Sequence, residues 1–255
     1  MNFVGLIMLL VATTAVAEGV ETRTGVELGL AGAKYGYKEP SLSVKDEGYN
    51  GGVLGTATWA VGNGWFGKLD GRSAVGSVDY TGSGTHKGEE IWLNDGRVLV
   101  GRDSGGSTSV WAPYTGIGYR SLYNDARGVT STGAVGYRRL NTMLYVPIGT
   151  EYRTSLTGGD RLTVGVETDI VVSSEQKSYL ADAGVGERDI VNKQRGGAGL
   201  RAHVGYGFGD NEVGVFGQYW DMADSKPTRG LTATWMEPAN QTTEVGVYYK
   251  RRLEF

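Results

Sequence analysis

Residues 161–173 read RLTVGVETDIVVS, and apolar and polar side chains alternate along this stretch. One face carries Leu162, Val164, Val166, Ile170 and Val172. The other face carries Arg161, Thr163, Gly165, Glu167 and Asp169. A period of two predicts a β-strand with two chemically different faces. Residues 197–208, GAGLRAHVGYGF, alternate in the same way, so the two stretches predict neighbouring strands.

Similar alternation recurs after residue 18 and predicts an all-β protein, while glycine recurs too often for stable helices. The predicted strands lie near 24–37, 51–62, 66–80, 90–102, 109–122, 141–155, 161–173, 197–208, 211–222 and 243–255. Each is longer than a usual soluble strand and sufficient for a tilted membrane crossing. Asn94-Asp95-Gly96 is also typical of a hairpin tip, and residues 229–236 fit either a strand or a β-rich loop. Ten strands are therefore expected, with eight as the alternative.

The predicted connections alternate in length. Those at 62–65, 103–108, 157–160 and 209–211 are short, and the clearest long ones are 123–140, 174–196 and 223–242. Even strand number with short turns at one end and long loops at the other is the layout of an up-and-down transmembrane β-barrel. Both termini then lie at the short-turn, periplasmic end. The three long loops become the candidates for contact with an extracellular partner.

Composition excludes several other classes of protein. The chain has 255 residues, with 25 basic and 28 acidic side chains, so it lacks the basic surface of a general nucleic-acid binder. Cysteine is absent, which excludes disulfides, thiolate nucleophiles and cysteine–zinc sites. Glycine is enriched, at 43 residues, but without the period of collagen.

The first seventeen residues predict an export signal. FVGLIMLLVA (3–12) is uncharged and apolar, and the small residues Ala15 and Ala17 fit a cleavage site. We therefore expect a signal peptide at 1–17 and one β-barrel domain at 18–255. No later stretch is apolar enough for a membrane helix, so a membrane protein of this sequence must be a closed barrel.

Glycine placement indicates which strand face is the interior. Gly165 shares a face with Glu167, and Gly205 shares one with His203. Glycine weakens a soluble strand but leaves room for long side chains in a narrow lumen. Apolar faces are therefore expected towards lipid, and charged faces inside as a salt-bridged structural network, since isolated buried charges are costly. The predicted lumen residues are Glu27, Arg97, Arg120, Glu151, Arg153, Glu167, Asp169, Arg201, His203, Glu212, Glu244 and Lys250.

Aromatic residues in the strands predict interfacial girdles, because many lie near strand ends. The expected members are Tyr35, Tyr37, Trp59, Trp65, Trp111, Tyr119, Tyr145, Tyr152, Tyr219, Trp220, Tyr248 and Tyr249.

The final stretch TEVGVYYKRRLEF (243–255) ends on an aromatic residue with apolar residues at alternate positions. It resembles the C-terminal sorting signal of bacterial outer-membrane β-barrels, carried here by Val247, Tyr249, Leu253 and Phe255. Arg251 departs from the apolar pattern. APYTGIGYRSL (112–122) and MLYVPIGTEYR (143–153) are similar to paired strands of the porin-like small barrels of that family.

This resemblance implies an integral protein of a Gram-negative outer membrane that contacts outer-membrane lipids. During biogenesis it implies periplasmic chaperones and the barrel-assembly machinery as partners. It brings no cofactor, no metal and no nucleic acid, and it identifies no extracellular ligand. The function it favours is a non-catalytic barrel presenting extracellular loops, for surface interaction or envelope structure.

Three alternatives stay open: a narrow pore for small solutes, a membrane-embedded hydrolase of omptin or lipid-modifying type, and a soluble secreted barrel. The omptin family is associated with an Asp/His pair at the extracellular rim. Here His203 is expected inside the barrel near Glu167 or Asp169, as part of the charge network. His86 is expected in a solvated loop. Acid–base catalysis requires groups within hydrogen-bond reach of one another, and the sequence pattern does not establish such a pair. No catalytic residue is therefore predicted.

Overall fold

The computed structural model describes residues 20–184 and 186–253 and consists of one closed antiparallel barrel. The last strand pairs with the first, from Val26 opposite Leu253 to Lys38 opposite Gln241. This closure confirms ten principal strands over the alternative of eight. They are β1 Gly25–Glu39, β2 Val44–Gly62, β3 Trp65–Gly82, β4 Gly84–Arg102, β5 Ser109–Val129, β6 Val135–Ser155, β7 Arg161–Ser178, β8 Gly197–Phe208, β9 Asn211–Met222 and β10 Asn240–Leu253.

Several short elements lie outside the ten principal strands. Ser104–Gly105 pairs with β5, and Ile190–Gln194 folds back on β7. Thr228–Arg229 and Thr234–Trp235 form a separate two-stranded sheet, so residues 229–236 belong to a β-rich loop. Leu180–Ala183 is a 3₁₀ turn. None of the helices among residues 20–184 and 186–253 has the length and apolar character needed to cross a membrane.

The two ends of the barrel differ, although less simply than the sequence predicts. The short-turn end carries the connections 63–64, 103–108, 156–160 and 209–210. The loop end carries the two long connections, 179–196 and 223–239.

The predicted loop 123–140 is wrong, because β5 and β6 continue through it to a turn at 130–134. The connections after β1 and β3 are also tight, at 40–43 and at residue 83. Asn94-Asp95-Gly96 lies inside β4 and is not a turn. The physical reason for the missed extensions of β5 and β6 is that a strand with water on both sides loses its apolar period, so polar strand extensions resemble loops in sequence.

A band of exposed apolar side chains surrounds the barrel. On β2 it runs from Tyr49, which is 71% exposed, to Trp59. Ten residues of a strand tilted by about 40° rise about 25 Å, the height of the apolar band in outer-membrane barrels. Beyond the level of Tyr49, the strands towards the loop end project past the band. Other exposed members of the band are Leu28, Leu30, Val53, Leu69, Val98, Ile117, Ile148, Val166, Val215 and Val247.

The apolar faces of the strands point outward and the charged faces point into the barrel, as the sequence predicts. Val164 and Val204 are exposed on the outside, whereas Glu167 is 3% exposed inside. Inner glycines make space for large side chains: a Cβ added at Gly118 would lie 2.2 Å from the ring of Tyr145. A Cβ at Gly165 would lie 2.1 Å from the ring of His203. Glycine on the charged face is therefore a packing requirement.

The aromatic prediction is wrong for five residues, which point into the barrel. These are Tyr35, Tyr37, Tyr145, Trp220 and Tyr248. The hydroxyl groups of Tyr37, Tyr145 and Tyr248 hydrogen-bond to interior carboxylates, so these side chains suit a polar interior. Exposed aromatics do mark both edges of the band, with Trp59, Trp65, Trp111 and Tyr249 towards the short-turn end and Tyr49 and Trp92 towards the loop end.

Candidate functional site

A layer of ion pairs crosses the middle of the barrel, and it is called the central layer below. It contains Asp95, Arg120, Arg201 and Glu244 with the aromatic side chains of Tyr145 and Trp220. Arg120, Glu244, Tyr145 and Trp220 are each at most 2% exposed. The layer separates cavities on its two sides.

Arg201 lies on β8 and connects this strand to four others within the central layer. Its Nε lies 2.6 Å from Asp169 Oδ2, and its Nη2 donates to Asp95 Oδ2 at 2.8 Å. The Tyr145 hydroxyl donates to Asp95 Oδ1 at 2.6 Å. The guanidinium also lies over the Trp220 ring, 5.2 Å from its centroid. These charge-assisted contacts hold β4, β6, β7, β8 and β9 in one arrangement.

Glu244 on β10 organises the other side of the layer. Its carboxylate accepts from Asn50 Nδ2 at 2.7 Å, from Arg72 Nη2 at 3.1 Å and from the Gln218 amide. Arg120 Nη2 lies 3.6 Å from it. A fully buried carboxylate is therefore matched by two guanidinium groups and two amides.

Below the central layer, towards the short-turn end, the interior holds two polar cavities of about 190 and about 160 Å³. Both are lined by Glu27, Lys68, Glu151 and Lys250. Lys68 pairs with Glu151 at 3.0 Å, and Lys250 pairs with Glu27 at 3.2 Å. These cavities are named the lower cavities.

The structure brings most of the predicted lumen residues together. Eleven make ion pairs inside the barrel: Glu27, Arg97, Arg120, Glu151, Arg153, Glu167, Asp169, Arg201, Glu212, Glu244 and Lys250. His203 lies inside, opposite Gly165, and lines the larger lower cavity. Its expected partners lie elsewhere, because Glu167 pairs with Arg97 and Arg201 pairs with Asp169.

Several network members were missed. Asp70 pairs with Arg97 at 2.5 Å, and Arg72 pairs with Glu244. Both lie on β3, whose alternation is disturbed by a bulge near Val78 and Tyr80. Asp70 and Arg72 are two residues apart and therefore share a strand face, and this spacing could have identified them as members of the network. Asp95 was not predicted as a lumen residue because Asn94-Asp95-Gly96 is typical of a hairpin turn.

Above the central layer, the loop end contains a cluster of buried carboxylates. Glu39, Asp46, Glu89 and Glu237 are each at most 9% exposed. Arg139 Nη1 lies 3.4 Å from Glu39 Oε1. The Tyr37 hydroxyl lies 2.7 Å from Glu39 and 3.4 Å from Glu237. His86, expected in a solvated loop, instead lies on β4 with Nδ1 3.1 Å from Glu89 Oε1.

Glu187 joins the two long connections to each other. Its carboxylate accepts from the backbone N–H groups of Leu231 and Thr232 at 2.6 and 2.9 Å, and from the Trp235 indole at 3.2 Å. These donors hold the pKa of Glu187 well below its usual range. The connection 223–239 is therefore anchored onto 179–196.

The described residues contain no group of three or more His, Asp or Glu side chains placed to hold a metal ion. In the proposed sorting signal, Val247 and Tyr249 point outward, 61% and 41% exposed, and Leu253 is half-buried. Phe255 and the predicted signal peptide at 1–17 lie outside the described residues.

Comparison with solved structures identifies proteins of similar architecture. The outer-membrane protease OmpT from Escherichia coli superposes with a TM-score of 0.52 at 12% identity, covering 90% of this chain and 96% of that chain. The fold is that of an outer-membrane β-barrel. The translocator domain of NalP from Neisseria meningitidis (13% identity, TM-score 0.35, 90% of each chain) and the β domain of the Bordetella autotransporter BrkA (11%, 0.38, 91% of this chain and 100% of that one) also match. No protein-family model matches the chain, and the search of curated proteins finds no match. At these identities the likeness extends to the fold and no further.

Proposed function

We propose that the chain is an integral protein of the Gram-negative outer membrane. The apolar band between Tyr49 and Trp59 faces lipid, and the aromatics at its edges lie at the two interfaces. The short-turn end and both termini face the periplasm, and the loop end faces outward. This orientation rests on the usual layout of such barrels, in which short turns are periplasmic.

Within that membrane, the proposed role is a rigid, non-catalytic anchor that presents the connections 179–196 and 223–239. The observation that carries it is the central layer, because Arg120, Glu244 and Trp220 fill the middle of the barrel. A barrel bridged at this level by ion pairs resists deformation and offers no continuous water path. Glu187 makes the two connections one ordered surface.

A narrow pore for small solutes is the second candidate. It is favoured by the lower cavities, whose charged lining already provides a polar route through part of the barrel. Only the central layer separates them from the loop end. The two candidates therefore differ in whether that layer opens.

Single-channel recording in planar bilayers tests the proposal. The refolded wild-type protein is expected to give no discrete conductance. Arg201→Ala removes the side chain that links Asp95 and Asp169 across the layer, so it is expected to conduct. Glu175→Gln, an exposed loop-end residue paired with Lys193, is the matched control and is expected to stay closed. Discrete wild-type openings would favour the pore.

Orientation is tested separately by protease treatment of intact cells. Cleavage is expected within 223–239, while an epitope after residue 253 stays protected until the outer membrane is permeabilised. Heat-modifiable gel mobility of the outer-membrane fraction reports the folded barrel. Cleavage at 103–108 in intact cells would reverse the assigned orientation.

A further inference from the structure

A small cavity of about 50 Å³ lies above the central layer, at the loop end of the barrel. It is named the outer cavity. Its lining includes Asp46, Glu237, Arg120, Trp220 and Arg139. Arg120 and Trp220 are also members of the central layer, and Glu237 lies in the connection 223–239, but the anchoring role proposed above does not explain the cavity between them.

The lining of the outer cavity includes two buried carboxyl groups, Asp46 and Glu237, that share the charge of Arg139 but make no ion pair of their own among the described residues. Asp46 is 9% exposed, and its Oδ1 is buried without a hydrogen-bond partner among the described residues. Glu237 accepts a long hydrogen bond from Tyr37 and makes no ion pair within the described chain. Arg139 is directed to Glu39. Burial raises the pKa of both Asp46 and Glu237 to about 7. Each carboxylate would be stabilised by a nearby cationic donor.

The lining also carries buried donor atoms that make no hydrogen bond in the described structure. The indole Nε1 of Trp220, a residue only 1% exposed, is buried without a partner in the described structure. The Nη1 and Nη2 atoms of Arg120 are likewise buried and reach Asp95 and Glu244 only at 3.6 Å, beyond hydrogen-bond distance. Buried polar atoms are normally satisfied, so this concentration within one cavity indicates an occupant. An occupant that satisfies both sets of groups must both donate and accept hydrogen bonds.

We infer that the outer cavity binds a small zwitterion of amino-acid size. Its ammonium group donates to Asp46 and lies near Glu237, and its carboxylate accepts from Trp220 and Arg120. The volume agrees with this size, because one water needs about 10–15 Å³ and the cavity therefore takes roughly four such groups. A single cation would leave the Trp220 indole unsatisfied, and a single anion would oppose Asp46.

The inference is tested on the full, refolded ¹⁵N-labelled protein in detergent micelles. Glycine is the probe, and the indole N–H resonance of Trp220, assigned with Trp220→Phe, is the readout. Ethylammonium and acetate each carry one half of the zwitterion. Glycine is expected to shift the Trp220 resonance saturably and to bind at least tenfold tighter than either half. Asp46→Asn is expected to weaken glycine binding at least tenfold, and Glu175→Gln is expected to leave it unchanged.

Glu237→Gln provides a second variant if Asp46→Asn does not give a heat-modifiable barrel, and it is expected to weaken binding in the same direction. Ethylammonium or calcium binding as tightly as glycine would make this a simple cation site and overturn the inference. The absence of a saturable shift with glycine would mean that water alone fills the cavity, which also overturns it.

Discussion

Replacing Glu244 by Gln tests how the central layer stabilises the barrel. The side chain is fully buried and keeps its shape in Glu244→Gln, but it loses the negative charge that matches Arg72 at 3.1 Å and Arg120 at 3.6 Å. Breaking a buried ion pair from one side typically costs about 3–5 kcal/mol. Arg120 keeps Asp95 at 3.6 Å, so the lower part of that range, about 3 kcal/mol, is expected.

The assay is equilibrium unfolding of the refolded full chain in urea, followed by tryptophan fluorescence and by gel mobility without boiling. Glu175→Gln is the control, because Glu175 and Lys193 form an exposed pair with side chains 51% and 68% accessible. Exposed pairs contribute little, so a change of about 0–0.5 kcal/mol is expected there.

A double variant separates charge from shape. In Glu244→Gln with Arg72→Met, one uncompensated guanidinium is also removed, so part of the lost stability should return. The reasoning would be refuted if Glu244→Gln cost no more than the surface control, or if the double variant were less stable than Glu244→Gln by the full cost of Arg72→Met alone.

Three further predictions concern other parts of the molecule. Gly118→Val is expected to cost about 1–3 kcal/mol in the same unfolding assay, because its Cβ would meet the buried Tyr145 ring, whereas Gly106→Val has open space and should cost far less. Glu187→Gln is expected to release 223–239 and accelerate its cleavage in limited proteolysis, unlike Glu175→Gln. The pKa of Asp46 is raised from 3.8 to about 7 in the folded state, so its stabilising contribution is present below about pH 4 and is lost as pH rises through 7. The stability of the wild type relative to Asp46→Asn should therefore fall between pH 4 and pH 8, and a constant difference would contradict the burial of an unpaired carboxyl.

The part of the fold that carries the apolar band could be predicted from sequence, because different environments on the two faces of a strand impose a strict period of two. The bounds of β8 and β9 agree with prediction at both ends, 197–208 and 211–222, since the turn at 209–210 interrupts a clear alternation. Interior charges followed from the same pattern, once glycine was recognised as leaving room for long inward side chains, as Gly165 does for His203.

The loop end could not be predicted in the same way. Residues 123–129 and 135–140 are paired strands, yet their sequences YNDARGV and VGYRRL carry polar groups on both faces. Once a strand leaves the apolar band, water on both sides removes the periodic signal. Hydrogen bonding between the backbones then determines that these residues form strands, and alternation along the sequence does not reveal that pairing.

Partner choice within the network was also inaccessible. Asp95 and Arg201 are 106 positions apart and meet across the barrel interior, on strands that are not neighbours. Which charges meet across a lumen depends on strand tilt and stagger, and alternation along one strand contains neither quantity. The inward direction of Arg201 was therefore predictable, whereas its pairing with Asp95 was not.

The positions of the two histidines decide how an enzymatic role should be tested. A histidine that acts as a general acid or base must lie within hydrogen-bond reach of both its catalytic partner and the substrate. His203 lies in the larger lower cavity opposite Gly165, on the side of the central layer away from the loops. His86 lies at the loop end beside Glu89, so hydrolysis of an external substrate would have to use this pair. Refolded protein is expected to show no turnover of peptide or lipid A above background, with His86→Ala indistinguishable from wild type. Turnover abolished by His86→Ala but retained in His203→Ala would refute the non-catalytic role and place a hydrolytic site at Glu89.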